Sequence, residues 1–236
     1  MKNHQLFIVS PHIDDAAYGL TVHISHWINR HIAVNIINCF TDTSWTICFI
    51  SKDKEEICRL RKMEDIEFNK LFDSRLQILN LDLLDAPLRN GFIFQSKSFE
   101  NIEWEMVNRL KASIELHVPG GATLLCPLAI GNHIDHAICL EAISQLYQQY
   151  TVIFFEDLPY ANRISEQEIY EHVQLLEEKL QVKLSPRLLP FDNCTIRKED
   201  AIKIYKTQLN DAICAEIIAH LNRVKGERLW AERSAF

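Results

Sequence analysis

Short apolar segments alternate along the chain with longer segments in which apolar residues recur every three or four positions. The short segments are rich in β-branched and aromatic residues and predict strands at 5–9, 33–40, 76–81, 123–126, 151–155 and 187–191. The periodic segments predict helices at 15–30, 52–72, 101–117, 135–147, 165–180 and 198–221. Such alternation of strand and helix is typical of an α/β fold with a mostly parallel sheet.

Polar residues cluster where two of the predicted strands end. Residues 10–15 read Ser-Pro-His-Ile-Asp-Asp after the first strand, and residues 131–136 read Gly-Asn-His-Ile-Asp-His after the fourth. Because Asp is a favoured helix N-cap, the first cluster alone is equally well explained by Asp14 or Asp15 starting a helix. Two such clusters favour a ligand site, because open α/β sheets bind ligands at the carboxyl ends of their strands.

The spacing of the histidines and carboxylates suits a divalent metal ion. His12 and Asp15 lie three positions apart, so both can reach one ion from a strand end and the first turn of a helix. His133 and His136 have the same spacing, which allows one or both to reach that ion. Three protein ligands of this kind with an open position for water are typical of catalytic zinc.

The other residues of the two clusters suggest hydrolysis. Zinc lowers the pKa of its water to about 7. Asp14, next to a predicted ligand, is free to act as a general base, and a histidine can donate a proton to a leaving amine. Asp135, between the two histidines of the second cluster, can orient one of them. These parts fit the cleavage of an amide or an ester.

Competing motif classes fail at particular positions. Gly131 stands where the metallo-β-lactamase pattern requires a histidine. The first predicted strand is not followed by the glycine fingerprint of dinucleotide sites, and the sequence contains no Gly-x-Ser-x-Gly elbow of serine hydrolases.

Composition narrows the class of protein further. Of the 236 residues, 47% are hydrophobic and 24% are charged, as in ordinary globular proteins, and the length favours one domain over 1–236. The formal net charge of −7 argues against a nucleic-acid binder that depends on neutralising phosphates. The seven cysteines form no Cys-x-x-Cys pair, and the sequence shows neither a signal-peptide pattern nor a membrane-span run. A cytoplasmic protein is therefore predicted.

The two clusters resemble the Pro-His-Pro-Asp-Asp and His-Pro-Asp-His motifs of the PIG-L/LmbE-like zinc-dependent N-acetylglucosaminyl deacetylases. Further segments look like parts of bacterial members, namely Arg61 with Glu64, residues 84–87, 127–131 and 156–160, and Tyr205 with Gln208. The resemblance therefore extends over most of the chain. Its most specific part is the pair of metal motifs in this order.

The resemblance implies a Rossmann-like three-layer α/β sandwich and removal of an N-acetyl group from a small-molecule amino sugar or glycoconjugate. It implies one zinc ion held by His12, Asp15 and His136, with Asp14 as general base, His133 as general acid and oxyanion partner oriented by Asp135, and Arg61 and Asp85 near the sugar. Arg61 and Glu64 are equally well explained as a surface ion pair, because they lie three positions apart on a predicted helix.

The chain departs from the family pattern at four positions. Ile13 and Ile134 replace prolines, Ala16 replaces a glutamate, and Gly131 stands where some members carry a tyrosine. None of these is a predicted metal ligand, so the departures bear on substrate choice and loop shape.

Two other functions stay open. An amidase that acts on another sugar-bearing small molecule would use the same residues. A non-catalytic metal-binding module of the same fold has no physical requirement for both a free base, Asp14, and a free acid, His133, which favours catalysis. A homo-oligomer also stays open, because the apolar face of the predicted helix at 198–221 could pack against the core or against a second chain.

Overall fold

Within residues 5–48, 53–90, 102–190, 194 and 196–235, which the computed structural model describes, seven strands form one sheet. The strands are β1 (Gln5–Ser10), β2 (Ala33–Asn38), β3 (Gln77–Asn80), β4 (Thr123–Pro127), β5 (Thr151–Phe155), β6 (Ser185–Leu189) and β7 (Glu227–Ala231). The helices are α1 (Asp15–Asn29), α2 (Lys54–Lys70), α3 (Ala86–Asn90), α4 (Trp104–His117), α5 (Ile134–Leu146), α6 (Glu166–Leu180), α7 (Lys198–Ile202) and α8 (Asp211–Val224).

The sheet has the order β3-β2-β1-β4-β5-β7-β6. Its first five strands in sequence run parallel, and β7 lies between β5 and β6, antiparallel to both. Right-handed crossovers place α1 and α2 on one face and α4 and α5 on the other. In agreement, α1 packs against α7, and α4 against α5. The predicted α/β sandwich with a mostly parallel sheet is confirmed.

The strand order reverses between β1 and β4. From β1 the chain moves outward through β2 and β3, then returns to β4 and continues through β5 on the other side. β1 and β4 are direct neighbours, with Leu6 beside Thr123 and Ile8 beside Leu125. A cleft opens at the carboxyl ends of the strands where such an order reverses. Since the two polar clusters follow β1 and β4, the topology brings them together.

The strands that carry the site are buried on both faces. Ile8, Val9, Leu124 and Leu125 are fully enclosed in the core. Parallel strands covered by helices on both sides read as continuous apolar runs rather than as alternating patterns. The polar clusters therefore project from strands at the buried centre of the sheet.

The prediction of a single helix at 198–221 is wrong, because the structure has two separate helices there, α7 and α8. Between them, Tyr205 donates its hydroxyl hydrogen to Asp65 (2.7 Å), and the backbone N–H of Thr207 donates to Glu64 (2.8 Å). These bonds tie the segment to α2. The side chain of Asn210 then caps the first turn of α8. Apolar periodicity continues through the break, which is why the sequence predicts one helix.

The C-terminal strands also differ from the prediction. β6 occupies Ser185–Leu189 instead of 187–191, and Phe191 lies outside the described residues. The sequence pattern does not predict β7, which long-range contacts hold in place. For example, the indole N–H of Trp230 donates to the buried carboxylate of Glu156 (2.9 Å).

Smaller differences concern the ends of elements. The short helix α3 has no counterpart among the helices that the sequence predicts. Lys52 and Asn101, the predicted first residues of two helices, lie outside the described residues. Among the described helices, none combines the length and apolarity that a membrane crossing requires. The cytoplasmic location and the single domain over 1–236 stay predictions.

Candidate active site

The two polar clusters line one cavity of about 200 Å³ at the carboxyl ends of β1 and β4. Its walls include all but one of the residues that the sequence predicts for the site, namely His12, Asp14, Asp15, Arg61, Asp85, His133 and His136. The remaining residue, Asp135, is fully buried and contacts His12. The fold thus assembles the predicted constellation, while the role of each residue stays a prediction.

One carboxylate and two imidazoles converge on a single point of the cavity. Asp15 Oδ2 lies 3.3 Å from His12 Nδ1 and 3.4 Å from His136 Nε2. One ligand atom from each of the three residues lies within 4.8 Å of the others. Two histidine nitrogens and a carboxylate oxygen form a donor set that suits zinc and related divalent metals.

The second ring nitrogen of each histidine faces a buried carboxylate. His12 Nε2 lies 3.0 Å from Asp135 Oδ2, and His136 Nδ1 lies 2.6 Å from Asp157 Oδ1. Metal-ligating histidines usually donate this second N–H to a carboxylate, which fixes the tautomer and turns the other nitrogen toward the metal. Both rings therefore have the orientation that ligation requires, and the residues present fit a divalent metal ion.

A second grouping of donor atoms shares His12. A nitrogen of His12, a nitrogen of His133 and an oxygen of Asp135 also lie within 4.8 Å of one another. Both oxygens of Asp135 are already engaged, because the backbone N–H of Ala86 donates to one (3.0 Å) and Arg89 Nη2 to the other (2.7 Å). Asp135 is therefore placed to hold His12, and the grouping of His12 with Asp15 and His136 is the better metal site.

Arg89 anchors Asp135 from the far side of the site. Its guanidinium also donates to Glu103 (Nε to Oε2, 2.9 Å) and lies 5.0 Å from the centre of the Phe40 ring. Burial alone would raise the pKa of Asp135, but the contacts with His12 and Arg89 hold it below its usual range. The sequence leaves open whether Arg89 faces the site or solvent, and the structure shows that Arg89 supports a site carboxylate, Asp135.

His12 and Asp15 influence each other's charge. Burial alone would lower the pKa of His12, but its hydrogen bonds with Asp135 and Asp15 raise that pKa to about 10. Burial alone would raise the pKa of Asp15, but His136 and His12 lower it to about 2. A metal ion at this point would displace the proton of His12, so metal binding should weaken as the pH falls.

Asp14 occupies the N-cap position of α1, but its side chain makes no capping hydrogen bond. Its Oδ1 instead lies 3.3 Å from Arg61 Nη2. Burial and the charge of Asp15 raise the pKa of Asp14, and Arg61 opposes that rise. A carboxylate whose pKa is raised toward neutrality is a better general base. The geometry therefore disfavours the hypothesis that Asp14 serves only as a helix cap.

Arg61 is almost completely buried beside Asp14, which excludes the surface ion pair with Glu64. Glu64 instead accepts hydrogen bonds from the backbone and hydroxyl of Thr207 (2.8 and 2.6 Å). Arg61 Nε has no hydrogen-bond partner among the described residues, although it is buried and its side chain lines the cavity. A buried N–H donor without an acceptor destabilises the folded protein, and a ligand that accepts from it would remove this cost.

His133 is the N-cap residue of α5, and its Nδ1 accepts the backbone N–H of Asp135 (3.2 Å). A ring that accepts at Nδ1 carries its hydrogen at Nε2 when it is neutral. Burial and the neighbouring rings of His12 and His136 lower the pKa of His133 well below its usual value. Asp135 thus contacts His133 through its backbone N–H, whereas its carboxylate, which the sequence predicts to orient His133, faces His12.

Asp85 lines the cavity but its carboxylate is already engaged. It accepts hydrogen bonds from the hydroxyl of Thr43 and from the backbone N–H of Leu88 (3.2 Å). Burial raises its pKa, although the bond from Thr43 opposes that effect. The predicted contact between Asp85 and substrate is compatible with its position and stays a prediction.

Three further residues belong to the site and were not singled out individually from the sequence. Asp157 holds His136, as described above, and Tyr18 and Tyr160 line the cavity. The hydroxyl of Tyr18 is buried and has no hydrogen-bond partner within the described part of the chain. Asp157 is the second residue after β5, and the polar break after this apolar strand is the one signal that could have identified it.

Gly131 is explained by its neighbour Tyr160. A Cβ atom at position 131 would lie 2.6 Å from the Tyr160 ring, and the backbone there has a φ of +92°. Both facts favour glycine. Tyr160 therefore fills the space next to position 131, where some members of the resembled family carry a tyrosine of their own, and its ring meets that of His136 edge-on at 5.7 Å.

Comparison with known proteins finds deacetylases among those similar to this chain. No family model matches the chain. A sequence relative, 2'-N-acetylparomamine deacetylase from Streptomyces fradiae, is 23% identical over 250 residues, which cover 100% of this chain and 84% of the relative.

Two solved structures illustrate the shared fold. The zinc-inhibited form of teicoplanin deacetylase Orf2 has a TM-score of 0.67 at 16% identity, covering 96% of this chain and 97% of that one. The N,N'-diacetylchitobiose deacetylase from Pyrococcus horikoshii has a TM-score of 0.55 at 14% identity, covering 98% and 83%. The chain thus shares the fold of these deacetylases along nearly its whole length, and the two motifs that resemble those of the PIG-L/LmbE-like deacetylases line one cavity.

Proposed function

We propose that this protein is a zinc-dependent N-deacetylase that hydrolyses the acetamide group of an amino sugar or a glycoconjugate. The observation that carries the proposal is the convergence of His12, Asp15 and His136 beside a buried carboxylate, Asp14, in one cavity. The names of the related proteins, which specify N-acetylparomamine, teicoplanin and diacetylchitobiose as substrates, support an N-acetylated sugar-bearing substrate.

His12, Asp15 and His136 would hold the zinc ion, which would supply a water molecule of lowered pKa and a positive charge for the developing oxyanion. Asp14 accepts a proton from this water while the water oxygen adds to the acetyl carbonyl carbon. Arg61 holds Asp14 in position through the contact at 3.3 Å. Asp14 then returns the proton to the nitrogen as the C–N bond breaks, and the products are acetate and a free amine.

His133 stabilises the negative charge that develops on the acyl oxygen. Its Nδ1 accepts the backbone N–H of Asp135, and a protonated ring could not accept that bond. The geometry therefore supports the oxyanion role of His133, with Nε2–H as the donor, more than its role as general acid. For this reason we assign to Asp14, and not to His133, the donation of a proton to the leaving amine.

Acetate release from a panel of N-acetylated amino sugars and their glycosides tests the proposed reaction. The protein loaded with one equivalent of metal should release acetate and amine in equal amounts, and removal of the metal with a chelator should abolish release. Since a related deacetylase was captured in a zinc-inhibited form, cobalt is tested beside zinc. Release of other acyl groups at higher kcat/KM would favour the amidase alternative, and metal binding without any hydrolysis would favour the non-catalytic module.

Asp157→Asn should weaken metal binding about 10- to 100-fold, the usual effect of removing a carboxylate that orients a metal-ligating histidine. The reason is that Asp157 accepts from both His136 Nδ1–H (2.6 Å) and the backbone N–H of Ile130 (3.0 Å). Asparagine has one acceptor oxygen for these two donors and carries no negative charge. Asp42→Asn, which changes a carboxylate outside the cavity that is paired with Lys54 (2.7 Å), is the control. Calorimetric titration of the metal-free proteins measures the change, and equal affinity in wild type and Asp157→Asn would contradict the proposed ligand set.

A further inference from the structure

Trp45 lies at the opening of the cavity. It lines the cavity together with Ile47 and Ile213, yet 45% of Trp45 and 39% of Ile47 remain exposed. Large apolar side chains that stay exposed at the edge of a site often mark a surface for recognition.

The backbone around Trp45 is fixed although its side chain is exposed. Its N–H donates to the hydroxyl of Thr43 (2.9 Å), and its carbonyl accepts from the side chain of Gln208 (3.1 Å). The backbone N–H of Ile47 donates to the carbonyl of Thr207 (3.0 Å). The backbone that carries the indole is therefore held in place before a ligand binds, which reduces the entropy lost on binding.

The cavity is too small to hold a large conjugate. Its volume of about 200 Å³ lies below the roughly 300–1,000 Å³ that is typical of sites for drug-sized ligands. Its inner wall is polar, with Asp14, Arg61 and His133. An acetylated sugar suits the polar inner part, and a larger group attached to that sugar would extend to the opening, where Trp45 offers an exposed apolar surface.

We propose that Trp45 forms a subsite for the aglycone of the substrate, and that this aglycone presents a flat apolar face, as an aryl group does. An aryl ring stacked on the indole would bury apolar surface that is exposed in the free protein. This inference rests on the proposed function, since it concerns the part of the conjugate that is not deacetylated.

Steady-state kinetics with N-acetylglucosamine and its phenyl β-glycoside test the subsite. Trp45→Ala should raise KM for the phenyl glycoside about tenfold and leave kcat unchanged, because the lost contact is the same in the ground state and the transition state. The constants for N-acetylglucosamine should not change, and Trp45→Phe should keep most of the preference. Trp104→Ala, a matched control on α4 where the side chain is 55% exposed and does not line the cavity, should behave as wild type. An equal loss on both substrates in Trp45→Ala would overturn the proposal.

Equilibrium binding gives a readout that does not depend on turnover. Calorimetry measures the affinity of the phenyl glycoside for the Asp14→Asn protein with and without the Trp45→Ala change. A loss of affinity of about tenfold in the double variant supports the subsite, whether or not acetate release is found for any compound. Absence of acetate release from every compound would count against the proposed reaction and not against the subsite. Equal affinity in the two proteins, or no binding by either, overturns the subsite.

Discussion

Asp14→Asn should lower kcat for acetate release by about 10²–10⁴-fold, the usual contribution of a positioned general base. The asparagine side chain has nearly the same shape but cannot accept the proton of the attacking water. Asp14 makes no capping hydrogen bond to α1, so the substitution removes none from the helix. Metal affinity should stay at the wild-type level, because the proposed ligands are His12, Asp15 and His136.

The pH dependence of kcat/KM gives a second signature of the base. In the wild type, activity should rise with pH through the pKa of Asp14, which burial and Asp15 raise above its usual value. This rise should be absent from the residual activity of Asp14→Asn. Asp42→Asn, which changes a carboxylate outside the cavity that is paired with Lys54 at 2.7 Å, is the control and should keep the wild-type profile. A wild-type kcat in Asp14→Asn would remove Asp14 from the mechanism.

His133→Asn should lower kcat by about 10²–10³-fold, as expected when one donor to a developing oxyanion is removed. Asparagine is a good N-cap residue, so its side-chain oxygen can accept the Asp135 backbone N–H in place of His133 Nδ1. The donor at Nε2 is lost. The variant therefore separates the cap of α5 from the proposed chemistry at the same residue.

The measurements that accompany His133→Asn are its melting temperature, its metal affinity and its kcat. Unchanged stability and metal affinity with the expected loss of kcat would support the donor role. If metal affinity falls together with kcat, His133 acts as a metal ligand, as the alternative grouping with His12 and Asp135 would require. A kcat close to wild type would show that His133 does not contact the reacting group.

The sequence predicts the position of the site because two local patterns coincide with a rule of topology. Each polar cluster follows an apolar strand, and parallel strands place their carboxyl ends at one edge of the sheet. His12, Asp15, His133 and His136 therefore converge without any knowledge of side-chain contacts.

Residues that act through long-range contacts could not be predicted in the same way. Asp157 is 21 positions from His136, and Arg89 is 46 positions from Asp135, so neither pairing leaves a local pattern. The break between α7 and α8 has the same cause, since it depends on hydrogen bonds from Tyr205 and Thr207 to α2. Tertiary contacts override local propensity in such segments.

In the proposed mechanism, one metal ion held by His12, Asp15 and His136 activates water for deacetylation. Titration of the metal-free protein with zinc or cobalt, with acetate release measured at each point, tests this role of the metal. Activity should be absent without metal, rise in proportion to added metal and reach its maximum at one equivalent per chain. Full activity in the chelated protein, or activity unrelated to the amount of metal bound, would contradict this role.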